Sequence, residues 1–292
     1  MKTKQTVSGA IFDIFNLIFM LFMILICFYP FWYIVVCSFT DGGYLIGDVG
    51  AILWPKKFTL DGYAAVLQNK NIFNGYKMTI LILVLGTLVN LVMTSIGAFI
   101  VTRKHFMPAK IMMKLMIFTM YFGGGMIPSY LLIVNVLHLH NSIWSLILPG
   151  AISTYNLIIM KTNFMAIPDS LEESAEIDGA SDWTVFSRII IPLSKPVIAV
   201  MVLYYGVAHW NSWFNAMLYI DDTTKYPLQL VLREILILNS TNDMTADAGD
   251  VYALAQTIKY STIIVATLPI LCMYPFIQKY FIKGMLVGAV KG

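Results

Sequence analysis

Six carboxylates, Asp169, Glu172, Glu173, Glu176, Asp178 and Asp182, crowd into one short polar block between long apolar stretches. Packing among apolar spans gives no reason to gather them there, so the block requires water, a partner, or both. Its spacing describes a shape. Ser170-Leu171-Glu172-Glu173 fits a capping box that starts a short helix at Ser170. Glu173, Glu176, Ile177 and Ala180 then fall on one face of it. Gly179 stands where that helix should stop, because glycine enters the left-handed region without a steric cost. Ser181 or Asp182 can cap a second short helix carrying Trp183, Phe186 and Ile190, which Pro192 closes. The product is a helix-turn-helix, acidic at its start and aromatic further on, suited to docking into a cleft on another protein. Its chemistry is recognition.

A second group of residues could handle a ligand. Tyr204, Tyr205, His209, Trp210, Asn211, Trp213 and Asn215 lie together in one apolar stretch. Aromatic rings stack on sugar faces, and Asn or His hydrogen-bonds hydroxyls. Two readings stand open for Tyr205, His209, Trp210, Asn211, Trp213 and Asn215: they line a substrate pathway, or they join helices through interhelical hydrogen bonds. Gly123-Gly124-Gly125 with Pro128 is either a broken helix facing a cavity or a point of close packing, and packing is the expectation. Asn90 and Asn135 are single polar groups that read as interhelical glue.

Other chemistry is missing from the sequence. It holds no Gly-x-x-x-x-Gly-Lys-Ser/Thr, so it has no P-loop for ATP phosphates. It holds no His-Glu-x-x-His, no Gly-x-Ser-x-Gly and no paired Cys/His cluster. Cys27, Cys37 and Cys272 sit in apolar runs and read as small buried apolar residues. Asn239-Ser240-Thr241 matches a glycosylation acceptor, a triplet common by chance.

The elements that must position these groups follow from composition. The chain has 292 residues, 59% hydrophobic and 12% charged, with mean hydropathy +0.76; soluble domains carry about 25% charged residues. An integral membrane protein is the class that fits. A net charge of +3 is too small to argue for nucleic acid. A span needs ~20 apolar residues. Six candidates appear, at about 12–37, 78–101, 112–136, 143–165, 197–220 and 261–282. The first, behind Lys2 and Lys4, is too long for a signal core and lacks an Ala-x-Ala site, so it reads as an uncleaved span. With the N-terminus inside, twelve Lys and Arg fall on the inside and seven on the outside, which makes both termini and the acidic block cytoplasmic. The outside stretches 41–77 and 221–260 either touch an extracellular partner or are ordinary connections with room for one short interfacial helix. The middles of spans two to six carry no charge, whereas proton-coupled carriers keep ionisable groups at membrane depth. Their absence argues that the energy comes from another chain.

Glu173-Ser174-Ala175, three residues, Gly179, nine residues and Ile189-x-Ile191-Pro192 resemble the EAA loop of ABC importer permeases. The family pattern is Glu-Ala-Ala, three residues, Gly, nine residues, Ile-x-Leu-Pro; Ser174 and Ile191 are small departures. Asp178-Gly179-Ala180 and the closing Gly284 to Gly292 resemble the carbohydrate branch, in the second, maltose-type permease position, in the oligosaccharide group of lipoprotein-linked sugar permeases. The resemblance spans nearly the whole chain. It implies an all-α membrane protein of six transmembrane helices with type I ABC importer permease (MetI-like) architecture, one permease domain over residues 1–292 and a cytoplasmic coupling loop at 166–196. Glu172, Glu173, Ser174, Ala175, Asp178, Gly179, Ala180, Trp183, Phe186, Ile189 and Pro192 would seat on an ATPase subunit. Glu173 would meet donor groups there, and Trp183 and Phe186 would serve as apolar anchors. The implied partners are a second permease subunit, two ATPase subunits and an extracellular or periplasmic sugar-binding protein, in the bilayer of a bacterial cell membrane. ATP and Mg would be bound by the partner ATPase, with no cofactor or metal in this chain. The basic tail after Lys279 either reaches the ATPase dimer or anchors at the membrane surface. The competing readings are a stand-alone secondary carrier or channel, a membrane-embedded enzyme, and an ABC importer permease for a solute other than sugar.

Overall fold

The computed structural model describes residues 7–47, 52–103, 106–242 and 253–272. Helices dominate. Apart from one isolated bridge between Thr40 and Phe58, the described residues form no strand pairing. Apolar chains favour this outcome, because a helix satisfies its own backbone where no water is available. The residues fall into two compact units, one drawing on the chain before Lys70 and on Leu232–Leu268, the other on Lys70–Val231.

In the first unit α1 runs Val7–Ser38. Its segment Ile11–Ser38 has a mean hydropathy of 2.6 in its most apolar window, none of it buried by the chain itself. Such a surface belongs against lipid tails. Only the helix end turns inward, where Val36 and Cys37 pack with Ile52, Tyr33 and Tyr260. Cys37 is buried as expected, but Cys27 and Cys272 are exposed, on faces that the described residues do not cover. The short helices α2 (Gly42–Gly47) and α3 (Asp61–Gln68) follow. Gly62 of α3 lies so close to the C-terminal helix that a Cβ there would come within 2.5 Å of Ser261 Oγ. Asp41 pairs with Lys57 at 2.9 Å; the lysine's hydrogen bond, helped by the Gly43 N–H, holds the Asp41 carboxyl below the usual carboxylate range.

The second unit is built around α4, Lys70–Thr102. Its buried stripe runs Ile72, Gly75, Thr79, Ile82, Gly86, Asn90, Thr94, Ala98, a recurrence of three and four residues. Small and polar side chains face inward, while Leu81, Val84, Leu88 and Val92 face outward. This is the inverse of a soluble helix: lipid accepts the large apolar groups, and small residues let helices approach. Next come α5 (Ala109–Tyr121), α6 (Met126–Leu131) with a wide turn over Leu132–Val136, α7 (Trp144–Ile147) and α8 (Thr154–Phe164). Two short helices of the acidic block, α9 (Asp169–Ile177) and α10 (Asp182–Val185), precede α11 (Ile191–Leu193), α12 (Lys195–Trp210) and α13 (Phe214–Tyr219). The chain continues in α14 (Leu228–Asn242) and α15 (Ala253–Cys272). Helix α4 packs mainly on α12 and α8. One core cluster surrounds its C-terminal half, with Phe99, Met160, Phe186, Ile190 and Met201; a second surrounds its N-terminal half, with Ile82, Ile133, Ile147, Ala216 and Tyr219.

The six expected spans meet the structure unevenly. Three helices are long and apolar enough to cross a membrane, Ile11–Ser38, Lys70–Thr102 and Ala253–Cys272, and two bent pairs bring the number to as many as five. The expected span 78–101 begins earlier, at Lys70, and the expected 261–282 begins at Ala253. The pair Ala109–Tyr121 and Met126–Val136 bends by 119°. The break falls at Gly123-Gly124-Gly125, with Gly125 at φ 88. Among the described residues nothing packs closely on these glycines; the helix breaks there, and the close packing expected at this point is not seen among them. The expected span 143–165, like the expected span 112–136, is not one helix. It is interrupted between α7 and α8 at Leu148-Pro149-Gly150, where proline lacks a donor and clashes with the preceding turn. Counting apolar residues does not see that break. The end of the last span past Cys272, the tail after Lys279 and the polar run beyond Asn242 lie outside the described residues.

Candidate functional site

The acidic block folds as a helix-turn-helix, with differences in how it is capped. Helix α9 starts at Asp169 behind Pro168, whose fixed φ suits the entry to a helix. No side chain caps it, and Ser170 lies inside the helix, its carbonyl accepting from Ser174 Oγ at 2.8 Å. The capping box expected at Ser170 is therefore absent. Gly179 ends the helix at φ 79, in open space, where a side chain would be strained by the backbone rather than by a neighbour. The Ala180 N–H closes the turn on the Ala175 carbonyl at 2.9 Å. Ser181 caps α10, its Oγ accepting from the Thr184 N–H. Pro192 does not close the second helix as expected. The chain widens into a π turn over Phe186–Ile190 and continues through Ile191–Leu193. Pro192 has no N–H for the carbonyl four residues back, and its ring crowds that turn; widening upstream accommodates both. The helical line then bends by 81° at Ser194 into α12.

The block presents one set of residues and buries another. Glu173, Ser174, Asp178, Gly179 and Pro192 are exposed. So are two large apolar groups, Ile177 at 86% and Trp183 at 65%. Ala175, Ala180 and Ile189 are partly buried. Phe186 is 7% exposed and belongs to the core, so of the two expected aromatic anchors Trp183 is the one presented. Ile177 adds an apolar group next to the turn. Glu172 turns toward the chain's own bundle: its two oxygens meet the Arg103 guanidinium at 2.7 and 2.9 Å, a charge-assisted fork. Arg103 lies 4.1 Å over the Phe99 ring, and Phe99 packs on Phe186, and Phe186 on Trp183, at centroid distances of 5.0 and 5.4 Å. Sequence spacing carried no signal for Arg103, because its partner is 69 positions away.

The aromatic and polar cluster of α12 divides. Tyr205 and His209 face α4 one turn apart. The Tyr205 hydroxyl bonds Thr94 Oγ1 at 2.7 Å and accepts from the Ser153 N–H at 3.1 Å. Asn90 gives both amide protons to the carbonyls of Gly150 and Ala151, at 2.6 and 3.0 Å. Its Oδ1 therefore faces His209, whose Nε2 lies 2.7 Å away and must carry the proton. Asn90 and Tyr205 thus satisfy backbone groups left open by the break between α7 and α8, and His209 and Thr94 hold those two side chains in place. Trp210 is buried, with Tyr76 at 6.4 Å. Asn211, Trp213 and Asn215 are exposed where the expected span 197–220 breaks between α12 and α13, and Asn211 Nδ2 donates to the Val207 carbonyl. Among the described residues no group of three His, Cys, Asp or Glu side chains could hold a metal ion.

Helices long and apolar enough to cross a membrane, together with an exposed acidic helix-turn-helix, fit a membrane transport subunit. Residues 93–287 match the family described as binding-protein-dependent transport system inner membrane component, and the chain belongs to that family. It is 45% identical over 292 residues to Protein LplC of Bacillus subtilis (strain 168), covering 99% of this chain and 97% of that one. It is 42% identical over 287 residues to the polygalacturonan/rhamnogalacturonan transport system permease protein YtcP of the same organism, covering 98% and 100%. Among solved structures, a chain of a bacterial ABC transporter involved in the import of the acidic polysaccharide alginate superposes with a TM-score of 0.86 at 28% identity, covering 96% of this chain and all of that one. The chain is thus an integral membrane permease component of an import system with the MetI-like fold. It is a transport subunit rather than an enzyme, and the stand-alone carrier is set aside.

Proposed function

We infer that this chain is one of two permease subunits of an ATP-driven importer for an oligosaccharide handed over by an extracellular or periplasmic sugar-binding protein. The observation that carries the reading is the presentation of Glu173, Ile177 and Trp183 around a glycine turn on an otherwise apolar bundle. The block seats in a groove on a partner ATPase, Glu173 meeting donor groups and Trp183 with Ile177 filling apolar space. Two such ATPases bind the ATP and Mg; this chain holds no cofactor. Their closure pulls the coupling loop, and the bundle moves between inward-open and outward-open states as a rigid-body exchange of packed interfaces. The chain works as one permease domain over residues 1–292, with six spans, both termini cytoplasmic and the loop 166–196 inside. Asn211, Trp213 and Asn215, exposed at the helix break, are the members of the α12 group placed to meet sugar or the second permease; Tyr205, His209 and Trp210 support the wall behind them.

Affinity purification of the tagged chain from its native membrane tests this reading. Recovery of a P-loop ATPase and a second permease is expected, with co-purification of the ATPase lost in Glu173→Lys and Gly179→Asp. Recovery of the chain alone, moving solute in liposomes without ATP, refutes it. Transport assays with the recovered binding protein should include uronate-containing and neutral oligosaccharides, since similar proteins are named for acidic polysaccharides.

A further inference from the structure

The coupling loop is joined to the bundle through the chain at both ends, to α8 and to α12, and through side-chain contacts. The covalent route to α12 passes through the π turn over Phe186–Ile190 and the 81° bend at Ser194. Both are places where a helix yields. The side-chain route ends on an unbroken helix. Helix α4 runs unbroken over Lys70–Thr102, and residues of the coupling loop meet its end, at Phe99 in its last turn and at Arg103 just past it. Glu172 of α9 takes the Arg103 fork at 2.7 and 2.9 Å. Phe186, following α10, packs on Phe99 at 5.0 Å. Arg103 itself lies over Phe99, so the two contacts share one platform. Upstream on the same helix, Thr94 and Asn90 hold Tyr205, His209 and the break between α7 and α8. A displacement of α9 and α10 together thus reaches α4 through the Arg103 fork as well as through the apolar packing around Phe99, and α4 extends from there to the bundle centre.

We propose that Arg103 is a positioning residue for transport: paired with Glu172 and seated on Phe99, it hands movement of the coupling loop to α4. The proposal rests on the ATPase-docking reading above. It separates Glu172 from Glu173 in role, the first facing inward to α4 and the second outward to the ATPase. Loss of the fork leaves the docking face intact and loosens the hold of the loop on α4.

The test uses the whole importer, reconstituted in proteoliposomes with its ATPases, second permease and binding protein. Glu172→Gln and Arg103→Gln are compared with the exchanged pair Glu172→Arg/Arg103→Glu and with Arg103→Lys. Three quantities are read: ATPase co-purification, sugar-stimulated ATP hydrolysis, and sugar moved per ATP hydrolysed. The neutral variants should keep the ATPase bound while transport per ATP falls by about tenfold, within the range of energetic coupling between sites. The exchanged pair should recover at least half of that loss. Arg103→Lys, which keeps the charge without the planar fork, should fall between and decides the matter if the neutral variants do not accumulate. A wild-type ratio in the single variants, or an exchanged pair that assembles without recovery, overturns the proposal. Failure of the underlying docking reading is seen separately, as unchanged co-purification in Glu173→Lys and Gly179→Asp.

Discussion

At the scale of single residues, the centre of the bundle depends on one amide. Asn90 is 1% exposed and makes three hydrogen bonds at once, to the Gly150 and Ala151 carbonyls and to His209. Asn90→Leu keeps the size and removes every partner, leaving groups whose loss costs about 1–3 kcal/mol each when buried and unmade. A lowered apparent Tm of the detergent-purified protein is expected; an unchanged Tm would mean the amide supports nothing. Gly86 tests the same place from the other side. A Cβ there would lie 2.5 Å from the His209 ring, an overpacking typically worth about 1–3 kcal/mol. Gly86→Ala should lower the Tm, and His209→Ala in the same chain should relieve part of that loss, since the ring is what the methyl meets. Additive effects of the two changes would contradict the close approach.

At the scale of elements, helix breaks carry the design. The bend between α5 and α6 depends on Gly125, at φ 88 and ψ 173, a region essentially closed to other residues, where a side chain costs roughly 1–3 kcal/mol. No neighbour crowds Gly125, and Gly124 has only Pro128 Cβ at 3.9 Å, so the difference between them is backbone alone. Gly125→Ala should lower the apparent Tm while Gly124→Ala leaves it within error; equal effects would show that packing decides at both. The break between α7 and α8 works differently, through Pro149 and through side chains of α4 and α12 that take over its backbone groups. One break is conformational and the other is stabilised from outside.

At the scale of the whole molecule, the proposed function requires the coupling block to lie on the side of a partner ATPase. Asp221 is exposed after the last turn of α13, and Ile177 is exposed on the acidic block. In a chain freed of Cys27, Cys37 and Cys272, a membrane-impermeant thiol reagent should label Asp221→Cys in intact cells. It should reach Ile177→Cys only after permeabilisation. Labelling in the opposite pattern would invert the topology and remove the coupling block from the ATPase.

Local chemistry made much of this protein readable without coordinates. The EAA spacing, the turn at Gly179 and the Ser181 cap each depend on residues a few positions apart, and an apolar run of span length declares itself by composition. The capping at Ser170 failed because Pro168 already sets the helix entry one residue earlier, and the role of Pro192 failed because a helix can widen instead of ending. Only tertiary structure could pair Arg103 with Glu172, turn Phe186 into the core, or assign Asn90 to the carbonyls of Gly150 and Ala151. Those partners are separated by 60 residues or more, and which face of a nearly uniformly apolar helix turns inward is decided by the helices that cover it.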